Sequence, residues 1–275
     1  MSTVLAPKVG ENRLKEMLSE SIAIETRGWA ARWYAEMLVE LFLSYEAKSK
    51  NEEFSALSLG DKIKEITPFY SKSIIDDLYT IEHVGNQASH FNSGRKLSDK
   101  DVTKAVEKAI RLFDLILIDE LKRSGLDNTP NTATLLSTTL PSIRVNILSE
   151  FVNTTSLESE YDVAVLDKYL LALVKSGQRE KARRLTKKML SKSILSKYQY
   201  DYWEEKINII HSNLNSLPVA KSIEDCKRNF EDVLSSLSPI ELEKNANFIR
   251  LLKDMYENVT PSDFGETKGN TVYWQ

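Results

Sequence analysis

The chain contains 275 residues, of which 41% are hydrophobic and 28% are charged, and it has only nine glycines and seven prolines. This composition predicts a folded, helix-rich protein of one or two domains and excludes disorder on a large scale. The formal net charge of −3 excludes a general attraction to nucleic acid or to a membrane surface, so any such binding requires a local basic patch.

The sequence shows no segment of the kind that enters or crosses a membrane. No run approaches the roughly 18 apolar residues of a transmembrane helix, and the N-terminal residues lack the pattern of a signal peptide. We therefore expect a cytoplasmic protein without membrane association. The single cysteine, Cys226, excludes an intramolecular disulfide framework and a multi-cysteine zinc site, and no metal site or cofactor is predicted.

A long helical pattern opens the chain. No proline interrupts residues 13–48, and apolar residues recur there in steps of three or four. Gly28 predicts a bend or a split into two helices. The side chains that we interpret as a core-facing stripe are Trp29, Trp33, Met37 and Leu41.

Three further helices complete a predicted four-helix unit. The segment SLGDKIKEI predicts a helix that ends near Pro68, because the residue before a proline is disfavoured in helical conformation. Ser71 is the expected N-cap of a third helix over residues 72–90. The spacing of Ser98 and Asp101 resembles a capping box and predicts the start of a fourth helix, which ends near residue 123.

The strongest linker signal lies in GLDNTPNTATLLSTTLP, which is rich in Thr, Asn, Ser and Pro. Helical periodicity resumes after it, and no segment alternates in the way a strand does. We therefore predict an all-α protein with a four-helix domain in residues 1–124, a linker in 125–141 and a second domain of about six helices in 142–275. The second domain carries a basic helix and a polar tail whose aromatic end, Tyr273 and Trp274, we expect to dock onto another surface.

The stretch HVGNQASH concentrates polar groups near the end of the third predicted helix. His83, Asn86 and His90 are spaced i, i+3 and i+7, so on a helix they project from one side. Gly85 and Ala88 are small and allow another helix or a nucleic-acid backbone to approach closely. Two interpretations stay open: a ligand or reaction site on the polar side, and a small-residue seam between two helices.

A four-helix unit whose third helix ends in GNQASH resembles the HEPN superfamily, in particular its branch of uncharacterised bacterial domains with a GN-x-AAH motif. The resemblance covers about residues 11–124, where Gly85, Asn86 and His90 match the motif. It implies a HEPN-like four-helix bundle and, as in many members, a metal-independent endoribonuclease that works as a dimer in toxin–antitoxin or anti-phage systems. In such a site the histidine handles a proton of the RNA 2′-hydroxyl or leaving group, and an arginine stabilises charge on the phosphate.

The motif in this chain lacks the arginine that the HEPN branch carries, because Glu82 and His83 stand at the positions expected for it. A carboxylate at Glu82 repels phosphate, and His83 replaces arginine only when protonated, which is a minority state of an ordinary histidine at neutral pH. Losing one charge-stabilising donor costs on the order of 100-fold in rate. The arginines outside the motif that remain candidates are Arg27, Arg32 and Arg95. The departure favours a HEPN fold used for binding.

A basic segment lies in the second predicted domain. Residues 175–197 hold nine Lys or Arg and one acidic residue, a local charge of +8 (nine minus one). On a helix that starts near Gln178 these cations form two rows, which can follow a phosphate backbone. The alternatives are a solvated face and a surface for an acidic protein. The candidate nucleic-acid-binding residues are Arg179, Lys181, Arg183, Arg184, Lys187, Lys188 and Lys192.

The four aromatic residues that follow this basic segment are Tyr198, Tyr200, Tyr202 and Trp203. Such residues can stack on bases, but we favour a core position for most of them. The sequence contains no Walker phosphate loop, dinucleotide glycine motif, HExxH motif or serine nucleophile elbow. We therefore do not expect an ATPase, a dehydrogenase or a metalloprotease.

The leading hypothesis from the sequence is a non-catalytic binding or regulatory subunit of a bacterial, nucleic-acid-directed defence or stress complex. Its expected partners are another protein in a multi-subunit complex, or a second copy bound through the N-terminal helices, and DNA or RNA at the basic helix. The first alternative is a metal-independent endoribonuclease in which His90 is catalytic, Asn86 positions the substrate and His83 or Arg95 supplies the cation. The second alternative is a plain helical scaffold.

Overall fold

The structure, a computed structural model, describes residues 8–90, 97–152, 157, 159–216, 219–220, 222–259, 267–268 and 271–272. Helices dominate this part of the chain, which confirms the predicted all-α class. A short ladder is also present, in which β1 (Thr267–Lys268) pairs antiparallel with β2 (Thr271–Val272). Among the described helices, none combines the length and the apolar character that crossing a membrane requires.

The α-helices of the described residues are, in chain order, α1 (Glu11–Leu18), α2 (Ile24–Leu38), α3 (Tyr45–Lys48), α4 (Leu59–Ile66), α5 (Lys72–Ser89), α6 (Asp99–Ser124), α7 (Thr132–Ser137), α8 (Pro141–Val152), α9 (Glu160–Lys175), α10 (Arg179–Ser191), α11 (Lys197–Ser212), α12 (Ile223–Ser236), α13 (Pro239–Lys244) and α14 (Ala246–Asn258). A π-helical turn, Val39–Leu43, continues α2, and a 3-10 turn, Phe54–Ala56, precedes α4.

The described residues form two compact units. The first unit combines the residues up to Ser124 with those from Ala246 onward, so it holds α1 to α6 and α14. The second unit is Gly125–Asn245 and holds α7 to α13. This division differs from the predicted domains, because α14 packs with the N-terminal helices and α7 belongs to the second unit. The predicted aromatic end of the tail, Tyr273 and Trp274, lies outside the described residues.

The core of the first unit lies where α2, α5 and α6 pack together. Phe113 of α6 and Phe42 of the π-helical turn pack in a tilted arrangement with their ring centroids 4.9 Å apart. α14 joins this core through buried residues such as Phe248 and Met255. These long-range apolar contacts explain why α14 belongs to the first unit although more than 100 residues separate it from α6.

The first predicted helix divides at a different place from the one expected. Gly28 lies inside α2, and the chain breaks instead between Leu18 and Ile24. A Cβ atom added to Gly28 would lie 3.2 Å from the Cβ of Ala88. Gly28 therefore serves the close packing of α2 on α5, and the predicted bend or split at this residue is wrong.

The predicted core stripe along α2 and the π-helical turn is also wrong, because its four side chains are only half-buried. The fully buried side of α2 is formed by small residues and a tyrosine, namely Ala30, Ala31, Tyr34 and Ala35. Trp33 packs over Gly10, and the Trp29 ring lies 4.4 Å from the guanidinium of Arg13. Alanines allow α2 to approach α5 and α6 closely, so the bulky tryptophans lie against the N-terminal segment instead.

The second unit contains helix starts that local sequence encodes. α11 begins after Ser196 and α13 begins after Ser238, and each serine forms a capping box with the residue three positions later. Pro239 occupies the first helical position of α13, where its missing N–H has no intrahelical partner to lose. Between α9 and α10, Gly177 adopts a φ of 76°, which glycine enters without steric cost. Local sequence therefore accounts for the start of α13.

Residues 125–141, predicted as a linker, are a packed part of the second unit. They include α7, and both Thr129 and Thr132 are buried. Thr132 Oγ1 donates to Asn245 Oδ1 at 2.7 Å, and Asn245 Nδ2 donates to Thr129 Oγ1 at 2.9 Å. The polar composition resembles a loop in the sequence because the partner that satisfies it lies 113 residues away. The linker prediction is therefore wrong.

Candidate functional site

The helix α5 carries the predicted polar motif, and hydrogen bonds within the helix satisfy part of it. Asn86 Nδ2 donates to the carboxylate of Glu82, one turn earlier. The Nε2 atoms of His83 and Gln87 lie 2.9 Å apart and share a hydrogen bond. These pairs are spaced i, i+4, so the helix itself brings their partners together. Part of the hydrogen-bonding capacity of Asn86 and His83 is thus used inside α5.

His90 stands just beyond the end of α5. The helix ends at Ser89, and His90 is its C-cap, with an extended backbone at φ −115° and ψ 110°. Its backbone N–H donates to the Asn86 carbonyl at 3.2 Å, and its side chain is exposed. The predicted alignment of His83 with His90 along one helix face does not hold, because helical geometry stops one residue before His90.

The small residues of the motif form a seam with α2, as one of the two sequence interpretations expected. A Cβ atom added to Gly85 would lie 2.2 Å from the Cβ of Arg32. No ordinary side chain tolerates that distance, so glycine is required for this approach of the two helices. Gly28 and Ala88 form a second close contact along the same seam.

Arg32 is the arginine that the structure brings to the motif. Its aliphatic stem packs on Gly85, and its Nε atom is buried without a hydrogen-bond partner among the described residues. Arg27 serves the structure instead, because its Nε donates to a backbone carbonyl of α1 and its guanidinium lies 3.6 Å from the carboxylate of Asp99. Arg95 lies outside the described residues.

A carboxylate shares this region with Arg32. Glu82 accepts the hydrogen bond of Asn86 and also faces α4, where its Oε1 lies 3.2 Å from the position that a Cβ on Gly60 would take. A phosphate that approached α5 would therefore meet a negative group on the helix. Arg32 is the nearby cation that can offset that repulsion.

The cations of α10 fall into two groups. Arg179 donates to Asn208 Oδ1 at 2.7 Å, and Arg183 donates to Glu204 Oε2 at 2.9 Å, so both are tied to α11. Glu204 also accepts from the buried Thr186 hydroxyl at 3.0 Å. The other five side chains are exposed and form no ion pair within the part of the chain that the structure describes: Lys181, Arg184, Lys187, Lys188 and Lys192.

The aromatic residues that follow α10 are mostly outside the core. Tyr198 is 82% exposed and Tyr202 is 51% exposed, whereas Trp203 is buried. The interpretation that most of these residues fill the core is therefore wrong for Tyr198 and Tyr202. Both tyrosines belong to α11, which packs on α10, so exposed aromatic rings and unpaired cations occur on neighbouring helices.

Sequence reasoning missed a second group of basic residues. Arg144, Lys168 and Lys175 line a cavity inside the second unit. The available signal was the spacing of Lys168 and Lys175, which stand seven residues apart in the otherwise apolar end of α9. That spacing places both lysines on one side of α9, a helix that buries most of its apolar residues.

The described residues include no group of three or more His, Cys, Asp or Glu side chains arranged to hold a metal ion. Cys226 is buried, and burial raises the pKa of its thiol to about 12, so it is not a reactive thiolate.

Comparison with known proteins finds no significant match to a protein-family model, a curated sequence or a solved structure.

Proposed function

We propose that this protein is a non-catalytic, nucleic-acid-binding subunit whose helix α10 contacts the phosphate backbone. The observation that carries the proposal is the row formed by Lys181, Arg184 and Lys188, which is exposed and makes no ion pair with the described residues. Cations without internal partners keep their full capacity to neutralise phosphate and release its counterions.

The row has the dimensions of a backbone-binding surface. Its members follow each other at three- and four-residue intervals, so they share one side of α10. With Lys192 the row spans about 16 Å at about 1.5 Å per residue, a length over which a nucleic acid presents several phosphates. The exposed rings of Tyr198 and Tyr202 on α11 favour a single-stranded ligand, because unpaired bases stack on aromatic side chains.

The setting of this activity is proposed from the HEPN resemblance of the first unit. It supports a role in a bacterial, nucleic-acid-directed defence or stress complex in the cytoplasm. The partner is then another subunit, or a second copy bound through the N-terminal helices. The structure of α5 is compatible with such a binding role, because its polar groups are largely paired with each other.

The test measures nucleic-acid affinity by fluorescence anisotropy across a salt series, with labelled single-stranded RNA, single-stranded DNA and duplex DNA. The variant Lys181→Glu/Arg184→Glu/Lys188→Glu is expected to bind at least about 100-fold more weakly near physiological salt, because three attractive contacts become repulsive. The salt dependence of the remaining binding should be flatter than that of the wild-type protein.

A matched control reverses three exposed lysines elsewhere, Lys227→Glu/Lys244→Glu/Lys253→Glu. It changes the net charge by the same amount and is expected to leave the affinity nearly unchanged. Equal losses in both triple variants would mean that only net charge matters. Unchanged affinity in the α10 variant would remove α10 as the binding surface.

A second candidate function, a metal-independent endoribonuclease, is favoured by one observation. Arg32 packs on Gly85, so a cation from α2 stands beside a motif that has no arginine of its own. In this alternative His90 handles the proton of the RNA 2′-hydroxyl or leaving group, Asn86 positions the substrate and Arg32 takes the role first considered for His83.

Incubation of purified protein with structured and single-stranded RNA in the presence of EDTA tests this alternative. Cleavage that is lost in both His90→Ala and Arg32→Ala, and retained in His211→Ala, would establish it in place of the non-catalytic proposal. His211 is the matched control, because it is an exposed histidine on α11 of the second unit. Absence of cleavage together with salt-dependent binding supports the non-catalytic proposal.

A further inference from the structure

A cavity of about 150 Å³ lies inside the second unit, among side chains of α7, α8, α9 and α12. One part of its wall is apolar and is formed by Leu136, Leu148 and Leu171. Another part is formed by basic side chains. The volume is well below the roughly 300–1,000 Å³ of pockets that enclose a drug-sized ligand. The cavity is therefore suited to a small group, or to one end of a larger molecule.

Three cations converge on this cavity from two helices. Lys168 and Lys175 come from α9, and Arg144 comes from α8, which packs directly against α9. Arg144 is nine-tenths buried, and both lysines are half-buried. Surface lysines normally extend into water, so three basic side chains that line one enclosed space need a physical explanation.

The three charges act on one another. Burial lowers the pKa of Lys168 and of Lys175, and the positive charge of Arg144 lowers both further. Lys168 in turn lowers the pKa of Lys175. Like charges that depress each other in this way cost free energy in the unliganded protein, and an anion among them removes that cost.

The carboxylate that acts on Lys168 does not neutralise the cluster. Asp167 raises the pKa of Lys168, but its Oδ1 accepts from Lys206 Nζ at 2.6 Å and is already used in that ion pair. No carboxylate of the described residues is among the charges that shift the pKa of Lys175. Within the described residues, neither Lys168 nor Lys175 forms an ion pair or a side-chain hydrogen bond. The positive charges of Lys168 and Lys175 are therefore available to a ligand.

We propose that this cavity binds the phosphate group of a small phosphorylated molecule, which Lys168 and Lys175 hold beside Arg144. A phosphate monoester carries a charge of about −1.5 to −2 at neutral pH and suits three cations better than a single carboxylate does. The lysines provide two point charges with ammonium donors, and the nearby charge of Arg144 adds to the positive potential of the cavity. Asn229, also in the lining, adds a neutral donor. The leucines contact the remainder of the molecule.

The experiment measures thermal unfolding and calorimetric binding of the full chain with inorganic phosphate, adenosine 5′-monophosphate and adenosine, each at equal ionic strength set by sodium chloride. The phosphate-containing compounds are expected to raise Tm, and adenosine and chloride are not. The variant Lys168→Gln/Lys175→Gln should bind phosphate at least about tenfold more weakly, because both charge-assisted lysine contacts are lost. Without ligand it should be at least as stable as the wild-type protein, since the repulsion is relieved.

Two controls locate the effect. Lys227→Gln/Lys244→Gln removes the same charge from exposed positions of the second unit and should bind phosphate like the wild type. The α10 triple variant Lys181→Glu/Arg184→Glu/Lys188→Glu should also retain phosphate binding, so failure of the α10 proposal and failure of the cavity proposal are distinguishable. The single variant Lys175→Gln replaces the double variant if the latter does not fold.

The source of the phosphate follows from the same titrations. Tighter binding of adenosine 5′-monophosphate than of inorganic phosphate identifies an organic phosphate as the ligand, and equal binding identifies the free ion; either result supports the site. Absence of a phosphate-dependent Tm shift in the wild-type protein, or equal affinity in Lys168→Gln/Lys175→Gln, would overturn the proposal.

Discussion

The polar side of α5 and the basic side of α10 are both rows of hydrogen-bonding side chains, but their partners differ. On α5, Asn86 bonds to Glu82 and His83 bonds to Gln87, so part of the row is satisfied within its own helix. On α10, five of the seven predicted cations make no ion pair with the described residues. The two rows looked equally promising as sites in the sequence.

This difference separates groups that support the fold from groups that are available to a ligand. A hydrogen bond already formed inside the protein must be broken before the same atoms can bind a ligand, which offsets much of the gain. An exposed, unpaired cation has no such cost and gains from counterion release. The α5 row is therefore expected to respond to stability measurements, and the α10 row to binding measurements.

The largest stability effect is expected at the seam between α5 and α2. Gly85→Ala places a Cβ atom 2.2 Å from the Cβ of Arg32, so the helices must move apart. We expect a loss of about 1–3 kcal/mol in the free energy of unfolding, the usual cost of overpacking a core contact. Urea denaturation followed by circular dichroism measures it.

Gly60→Ala is the matched control for this seam. Its new Cβ atom would lie 3.2 Å from Glu82 Oε1, the mobile end of a side chain, so Glu82 can move aside. Alanine is also the better helix former, so no loss of stability is expected. Equal stability of the two alanine variants would contradict the close packing of α2 on α5.

The second effect concerns an internal charge cluster of the first unit. Burial raises the pKa of Glu40, but hydrogen bonds and charge attraction from Lys48 and Lys62 outweigh it and hold that pKa below the usual 4.5. A folded-state pKa below the unfolded one adds stability above about pH 4.5, and this stability is lost as the pH falls through the folded value. Glu40→Gln should therefore cost about 1–2 kcal/mol at pH 7 and progressively less below pH 4.5.

Denaturant unfolding at a series of pH values measures the effect of Glu40→Gln. Asp76→Asn provides the control, because Asp76 pairs with Lys72 at an exposed position of α5. Exposed pairs contribute little, so the control should show no pH-dependent loss. A pH-independent loss in Glu40→Gln would mean that packing, and not charge, holds Glu40 in place.

The third effect distinguishes the paired cations of α10 from its unpaired cations. Lys188 is exposed and unpaired among the described residues, whereas Arg183 is bonded to Glu204. Lys188→Gln should flatten the slope of log affinity against log salt by about 0.7 for a single-stranded ligand and leave Tm unchanged. Arg183→Gln should lower Tm slightly and leave the slope unchanged. The reverse pattern in anisotropy titrations would contradict the division of α10 into structural and available cations.

Local signals in the sequence predict helix starts well. Ser98 and Asp101 suggested the start of α6, and the Asp101 backbone N–H does donate to Ser98 Oγ at 3.2 Å. Pro239 likewise marks the start of α13. These features depend on residues three or four positions apart, so the sequence contains all the information they need.

Features that depend on distant partners could not be predicted in the same way. Thr129 and Thr132 have loop character in sequence, and only Asn245 explains their burial. The pairing of Arg183 depends on Glu204 of the next helix, and the cavity lysines become a cluster only when Arg144 of α8 joins them. Long-range packing determines these contacts, and neither the periodicity nor the composition of the sequence specifies which distant residues pack together.

The smallest stability effect is expected at His90. This residue tests most directly whether α5 and α10 differ in their availability to a ligand. His90 is an exposed C-cap beyond α5, so His90→Ala should change the free energy of unfolding by no more than about 0.5 kcal/mol. Because α10 provides the binding cations, nucleic-acid affinity should also be unchanged. If His90→Ala instead abolishes an EDTA-resistant cleavage of RNA, α5 is a reaction centre that uses exposed His90 together with Arg32, the arginine packed on Gly85. Pairing of polar groups within a helix would then be no guide to which of the two rows acts on the ligand.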